Sequence, residues 1–330
     1  MRKGLLMDRD VFAQIVARAA LAPSIHNAQP TRWRLNGDII LVVVDLSVTL
    51  PHVDPTDGGI ALSCGAAVEA TVLALSQAGY AATVQDVWAH NDRHSWSGHR
   101  IAVIISYLAG GAVDGLAIKL PARFTWRGAF SAASPALYGW TRTDTAFVLD
   151  QPTKAWLAGL NDAASIGILR QAPFRKELLG WFRLSPDHPR AGYDGMNLAA
   201  LGMTPRLGVK LRLGFGPLWP FLDMLGRTGP LTAEADVTQT APVIACFHRP
   251  VGESPIASGR AYLRLLLEAA GLGFACWPMA ALTDDTAAAD QIMGQISIPP
   301  DRQLIQVIRF GVPTGPQPQR ARCPLSELIP

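Results

Sequence analysis

The stretch at 60–78 (IALSCGAAVEATVLALSQA) constrains this chain more than any other segment. It is long enough for a substantial helix, it stops at Gly79, and it is apolar on nearly every side. A helix without a polar face is not stable at a surface, and it is buried on several sides. The stretch therefore reads as a central core helix to which other elements must supply cover. It does not read as a membrane span, because Glu69 and several small or polar residues interrupt it and a span needs roughly 20 apolar residues. The apolar run at 213–222 (LGFGPLWPFL) is shorter still and contains Pro217 and Pro220. The expectation is a globular chain with no stable membrane insertion.

The elements that could cover such a helix follow from local pattern. Asp8 can cap a helix running to about residue 22, with Val11, Phe12, Ile15, Val16 and Ala19 on one face. The β-branched run at 39–45 predicts a strand, as do 82–88, 101–107, 146–150, 242–247 and 303–310. Residues 152–183 read as helical with breaks near Pro173 and Gly180, and 258–270 as an amphipathic helix closed by Gly271. The glycine-bounded segment at 194–203 and the interrupted apolar segment at 206–229 complete the second part. Helices and strands alternate irregularly, and no fixed-period repeat is present. With 49% hydrophobic and 17% charged residues, the chain has the composition of a globular protein and not of a disordered one.

Several function classes are excluded early. The net charge is +3, and there is no basic run interleaved with aromatics, so no nucleic-acid partner is expected. Cys64, Cys246, Cys276 and Cys323 are far apart and form neither a C-x-x-C pair nor a zinc spacing. The N-terminus shows no long apolar segment, so the cytoplasm is the expected location. No P-loop, nucleophile elbow or HExxH is present, and Gly271-Leu272-Gly273 follows a helix where a dinucleotide fingerprint needs a strand. His90, Asp92, His94 and His99 crowd one loop, which reads as a solvated turn in preference to a metal site.

Three segments remain as candidates for chemistry. In Pro23-Ser24-Ile25-His26-Asn27-Ala28-Gln29-Pro30-Thr31, two prolines bracket a dense set of hydrogen-bonding side chains. This predicts a stiff irregular loop, able either to hold a planar polar ligand or merely to satisfy its own backbone. Arg123, Thr125 and Arg127 alternate, as do Arg320 and Arg322, and alternation puts each set on one side of an extended chain. Arginine holds phosphate through bidentate charged hydrogen bonds, so together the segments suit a mononucleotide bound by side chains.

At this point the residues resemble a known family. PSIHNAQPTRW is similar to the P-S-x-x-N-x-Q-P-W segment of FMN-dependent nitroreductases. The histidine before the asparagine, and the length of two fused halves, resemble the Acg-type branch. LSCGAAVEATVLAL, ARFTWRGAF, SGRAYLRLLLEAAGLGFACWPMAAL and RFGVPTGPQPQRARCPLSELI continue the likeness in order. The sequence departs from it at Thr31, where tryptophan is usual, at Gly128, where a second arginine is usual, and at Thr283-Asp284-Asp285.

The resemblance implies an α+β nitroreductase-like sandwich, a central mixed sheet packed by helices, with two related halves fused at 1–112 and 113–330. It implies FMN as cofactor and NAD(P)H as electron donor, with a small-molecule acceptor. It assigns Pro23, Ser24, His26, Asn27 and Gln29 to the flavin ring and ribityl chain, and Arg123, Thr125 and Arg127 to the phosphate and the pyrimidine edge. Pro278, Met279 and Ala280 fall opposite the flavin N5 atom, and Arg320 or Arg322 completes the phosphate site. No catalytic side chain is required, since the flavin carries the chemistry. The apolar stretch around 206–230 is the candidate lid. Two further readings stand beside an NAD(P)H oxidoreductase: a protein that stores FMN under a closed lid, and an interaction or membrane-peripheral protein using Trp219, Phe221 and Leu222 beside Lys210 and Arg212. A homodimer is compatible with the sequence.

Overall fold

The structure, a computed structural model, describes residues 7–89, 95–96, 98–132 and 139–330. The expected turn carrying His90, Asp92 and His94 lies outside the described residues.

The first part of the chain opens with α1 (Arg9–Ala19), capped by the Asp8 side chain. Strands β1 (Thr31–Asn36) and β2 (Ile39–Asp45) form a hairpin. Gly37, at φ 64°, supplies the turn. Helix α2 (Gly58–Gln77) follows, then β3 (Tyr80–Asp86), β4 (Ser95–Trp96) and β5 (His99–Ala109). These strands make one antiparallel sheet in the order β1-β2-β5-β3, with β4 paired to β5.

The second part begins with β6 (Thr145–Val148) and two helices, α3 (Gln151–Leu169) and α4 (Ala172–Gly180). A two-stranded parallel ribbon, β7 (Phe182–Arg183) with β8 (Met196–Asn197), leads into α5 (Leu198–Leu201). Helices α6 (Pro205–Phe215), α7 (Trp219–Met224), α8 (Gly229–Thr232) and α9 (Ala235–Gln239) precede β9 (Val243–Pro250). Helix α10 (Pro255–Gly271), β10 (Ala275–Pro278), α11 (Ala281–Asp284), α12 (Thr286–Gln295), β11 (Arg302–Gly311) and α13 (Leu325–Leu328) close the chain. The second sheet is antiparallel, in the order β10-β11-β9-β6.

The expected central mixed sheet is thus two antiparallel sheets with helices packed on them, an α+β architecture. The two sheets share a topology. Leaving out β4, each runs first-second-fourth-third strand, with its long helix between the second and third. That helix is α2 in the first sheet's part and α10 in the second's.

Helices α2 and α10 pack directly on each other. A Cβ on Gly65 would lie 2.3 Å from the Ile256 carbonyl oxygen, and one on Gly259 would lie 2.2 Å from that of Leu62. Only glycine permits this approach. By length and composition α2 could cross a membrane, yet 78% of its apolar window is buried inside the fold. Its cover comes from α1, the first sheet, and Ile256, Leu263 and Leu267 of α10. Glu69, the charged interruption of the helix, is buried and meets Arg260 and Arg264, each at 2.8 Å.

Candidate functional site

The loop between α1 and β1 leaves ordinary backbone space. His26, Asn27 and Gln29 sit at φ 46°, 55° and 50°, the left-handed region that side chains rarely adopt. Such strain persists only where surrounding bonds over-determine it. Here the Ser24 hydroxyl accepts from the Gln29 amide at 3.0 Å, and Ser63 on α2 accepts from the Ile25 amide at 2.9 Å. The Asn27 side chain donates to the carbonyls of Gly195 (3.1 Å) and Ala321 (3.2 Å), and its Oδ1 accepts from Arg322 at 2.8 Å. The Gln29 amide donates to the Tyr193 carbonyl at 2.7 Å and accepts from the Cys323 amide at 3.0 Å. Both amide side chains expected at the flavin are therefore bonded to main chain of the second part. Pro23, Ser24 and Gln29 also line a cavity of about 20 Å³, which has room for one water and not for a cofactor.

The arginine segments reach the same place. Thr125 bridges to Cys276 as an isolated parallel pairing, and the Trp126 amide donates to the Cys276 carbonyl at 2.9 Å, so 123–127 runs along β10. Arg123 is buried and donates to the Leu21 carbonyl at 2.9 Å, while its Nε has no hydrogen-bond partner. Arg320 donates to the carbonyls of Pro121 (2.6 Å) and Arg123 (2.7 Å). Arg322 donates to the Ala20 carbonyl at 2.7 Å, besides Asn27. Arg127 donates to the Ala200 carbonyl at 2.8 Å.

None of these four arginines forms an ion pair with a carboxylate among the described residues, whereas eleven others do. Burial, then the charge of Arg123, pushes Arg320 down to about 10. Burial, then Arg123 and Arg320, pushes Arg322 down to about 9. A cluster of like charges held by carbonyls is electrostatically incomplete and suits a multiply charged anion. A phosphate monoester fits that donor set.

Other side chains nearby are crowded by protein without being sealed from solvent. His26, Arg127 and Arg322 are partly accessible to solvent although protein crowds them enough to disfavour their charged forms. The His26 imidazole is pushed down to about 4, by burial first and Arg127 second, and its Nε2 has no partner. Asp284 is solvent-accessible, yet burial and the nearby Asp54 charge raise its carboxyl to about 7. Asp54 itself accepts from the amides of Gly59 and Ile60 at the start of α2.

The loop beyond β10 divides its three expected residues. Pro278 pairs with Ile308, Met279 is buried in the core beneath the second sheet, and Ala280 is exposed at the turn into α11. Trp33, two residues beyond the unusual Thr31, is buried and donates to the Thr71 hydroxyl at 2.9 Å. Both residues face α2, as strand alternation requires. At Gly128 a Cβ would come within 2.8 Å of the Trp126 ring, so an arginine there would need that ring to move.

The segment lying on the loop is 190–200, not the apolar stretch singled out as a lid. The Gly195 amide donates to the Asn27 carbonyl at 3.1 Å, and Asp194 anchors the segment to Arg183 and Arg190. Helices α6 and α7 pack instead on α3 and α4 through Leu211, Phe215 and Trp219. The glycine-bounded pattern around 194–203 was the signal for this strap, but nothing in its residue types pointed to the loop.

No family model matches the chain. Over 125 residues it is 32% identical to proteins of two Mycobacterium tuberculosis strains that are provisionally named NAD(P)H nitroreductases, Rv3131 and MT3217. The match spans 38% of this chain and about a third, 35%, of each relative. A solved structure provisionally named a nitroreductase, from Anabaena variabilis, aligns over 93% of this chain and 74% of its own at 11% identity, TM-score 0.42. The FMN-dependent nitroreductase NfnB of Mycobacterium smegmatis aligns over 59% of this chain and 86% of its own at 17% identity, TM-score 0.34.

Proposed function

We propose that this relative of the NAD(P)H nitroreductases is an FMN-dependent oxidoreductase, taking electrons from NADPH or NADH and passing them to a small acceptor such as a nitroaromatic, a quinone or an unsaturated compound. The observation that carries the reading is the set of four arginines, Arg123, Arg127, Arg320 and Arg322, held by main-chain carbonyls near a strained loop, with none ion-paired to a carboxylate among the described residues. The sequence similarity supports it independently. Bound FMN would supply the hydride and electron transfer.

The protein's share is binding and electrostatics. In this proposal Arg123, Arg320 and Arg322 hold the phosphate, with their carbonyl bonds fixing the direction of each guanidinium. Arg127, crowded beside His26, supplies positive charge where a flavin edge gains electrons, the kind of preorganised stabilisation that lowers a barrier most. The neutral His26 keeps that charge uncontested. The division into two related halves near residue 112 belongs to the same proposal, since the loop comes from one side of it and all four arginines from the other.

The strap favours a second reading, FMN storage. Its bonds to Asn27 and Gln29 hold 193–195 over the loop, and a closed strap would bar a nicotinamide. One preparation tests both. The purified protein should be yellow, or should bind FMN on titration, and stopped-flow mixing with NADPH or NADH should bleach the flavin. Folded protein that takes up no flavin sinks both readings, and a bound flavin that never bleaches selects storage.

A further inference from the structure

Helices α6 and α7 carry a surface unlike the rest of the molecule. Sixteen large hydrophobic side chains are exposed among the described residues, and seven of them fall between 207 and 225. The underside of this helix pair is fixed. Leu211, Phe215 and Trp219 pack on α3 and α4, and the Arg175 guanidinium lies 4.6 Å from the Trp219 ring centre while donating to the Phe215 carbonyl. Trp219, expected at the surface, is thus an anchor, and the outer face is left to solvent.

On α6 that outer face presents Val209 and Leu213, one turn apart, flanked by Arg206 and Lys210. On the α7 side Leu218, Phe221 and Leu225 recur at helical spacing beside Met224, with Phe221 57% and Met224 74% exposed. Arg206, Lys210, Arg212 and Arg227 are exposed and make no ion pair among the described residues. The acid on these helices, Asp223, is engaged by Arg170 at 3.1 Å. The surface is therefore apolar, and its free charge is all positive.

We infer that the α6–α7 face docks the protein on an anionic lipid surface, its apolar side chains entering the headgroup boundary and its basic residues meeting lipid phosphates. Charge selects the occupant. A second copy of the chain meeting the face about a two-fold axis would bring Arg206, Lys210, Arg212 and Arg227 against their own equivalents, and that repulsion opposes pairing. An anionic bilayer is complementary on both counts, because amphipathic helices with basic flanks bind by apolar burial plus attraction to acidic lipid. The helices lie in the interface and do not span it, since α6 has 11 residues and α7 has 6.

The test is co-sedimentation of the full-length protein with vesicles, either phosphatidylcholine alone or an equimolar mixture with phosphatidylglycerol. Pelleting should occur with the mixed vesicles, fall with added salt, and fall about fivefold for each basic residue neutralised, so the triple variant Arg206→Gln, Lys210→Gln, Arg212→Gln should bind roughly a hundredfold more weakly. Phe221→Ser with Met224→Ser should weaken binding without altering the thermal melt, since both side chains are exposed. Failure to pellet with mixed vesicles overturns the inference, and so does equal pelleting with phosphatidylcholine alone. Loss of a concentration-dependent dimer in the Phe221→Ser, Met224→Ser variant, without lipid binding by the parent, would assign the face to a second copy instead. Flavin content is read on the same samples, so failure of this inference leaves the oxidoreductase reading untouched.

Discussion

At the scale of single residues, two groups carry titrations shifted in opposite senses. His26 holds a value of about 4 in the fold against 6.5 ordinarily. Below 6.5 the unfolded chain takes up a proton that the folded chain refuses, so stability is lost as pH falls from 6.5 towards 4. The variant His26→Asn should lose less melting temperature than the parent over that interval. Asp284 has the opposite sign. Its carboxyl, raised to about 7, keeps its proton in the fold where the unfolded chain releases it near 3.8, so stability falls as pH rises between those values. In Asp284→Asn that decline should flatten, and unchanged melting profiles would refute the placement of the carboxyl. Arg322 gives the functional counterpart. Losing one charged hydrogen-bonding partner of a phosphate typically costs about 1.5–3 kcal/mol, so Arg322→Gln should weaken FMN binding roughly ten- to a hundredfold by titration.

Elements differ in what their residues will tolerate, and glycines show it most directly. Gly65→Ala drives a Cβ to 2.3 Å from the backbone of α10, and backbone cannot step aside cheaply. Overpacking of this kind costs about 1–3 kcal/mol or more, readable as a shift in the denaturant midpoint. Gly159, on the exposed side of α3, meets nothing within 4 Å of a built Cβ. There Gly159→Ala should stabilise by about 0.5–1 kcal/mol, because alanine is the better helix former. Element legibility followed the same division. The β2 run was readable to the residue from its β-branched composition. Strand β1 was hidden, because the polar loop before it masked the alternation of Thr31, Trp33 and Leu35. Strand β10 is four residues long and ends in proline, too short for any periodic signal.

Across the whole molecule, the first sheet's part does not own a complete core. The cluster around α2 takes Ile256, Leu263 and Leu267 from α10, and Cys323 and Leu328 from the chain's end. Residues 1–112 expressed alone would expose the α10-facing side of α2, so they should aggregate or remain unfolded. The intact chain should melt in one cooperative transition, and two separated transitions by calorimetry would contradict this account. The candidate site has the same dependence. Its loop follows α1, its strap lies between β7 and α5, and its arginines come from the β10 edge and the tail.

The sequence by itself determined the buried helix, most strands, the stiff loop and the alternating arginines, because each of these is local. Composition, periodicity and proline placement act over a few residues and leave their mark in the order of the chain. Only the tertiary structure decided that the strap at 190–200 binds Asn27 and Gln29, that Trp219 turns inward, and that four arginines from two distant segments come to the site with no ion pair to a carboxylate among the described residues. Those outcomes depend on which main-chain carbonyls and which charges arrive together once α2 and α10 pack against each other. Residue types along a chain do not say which segments will meet, although Gly65 and Gly259 permit the close approach of these two helices once they do.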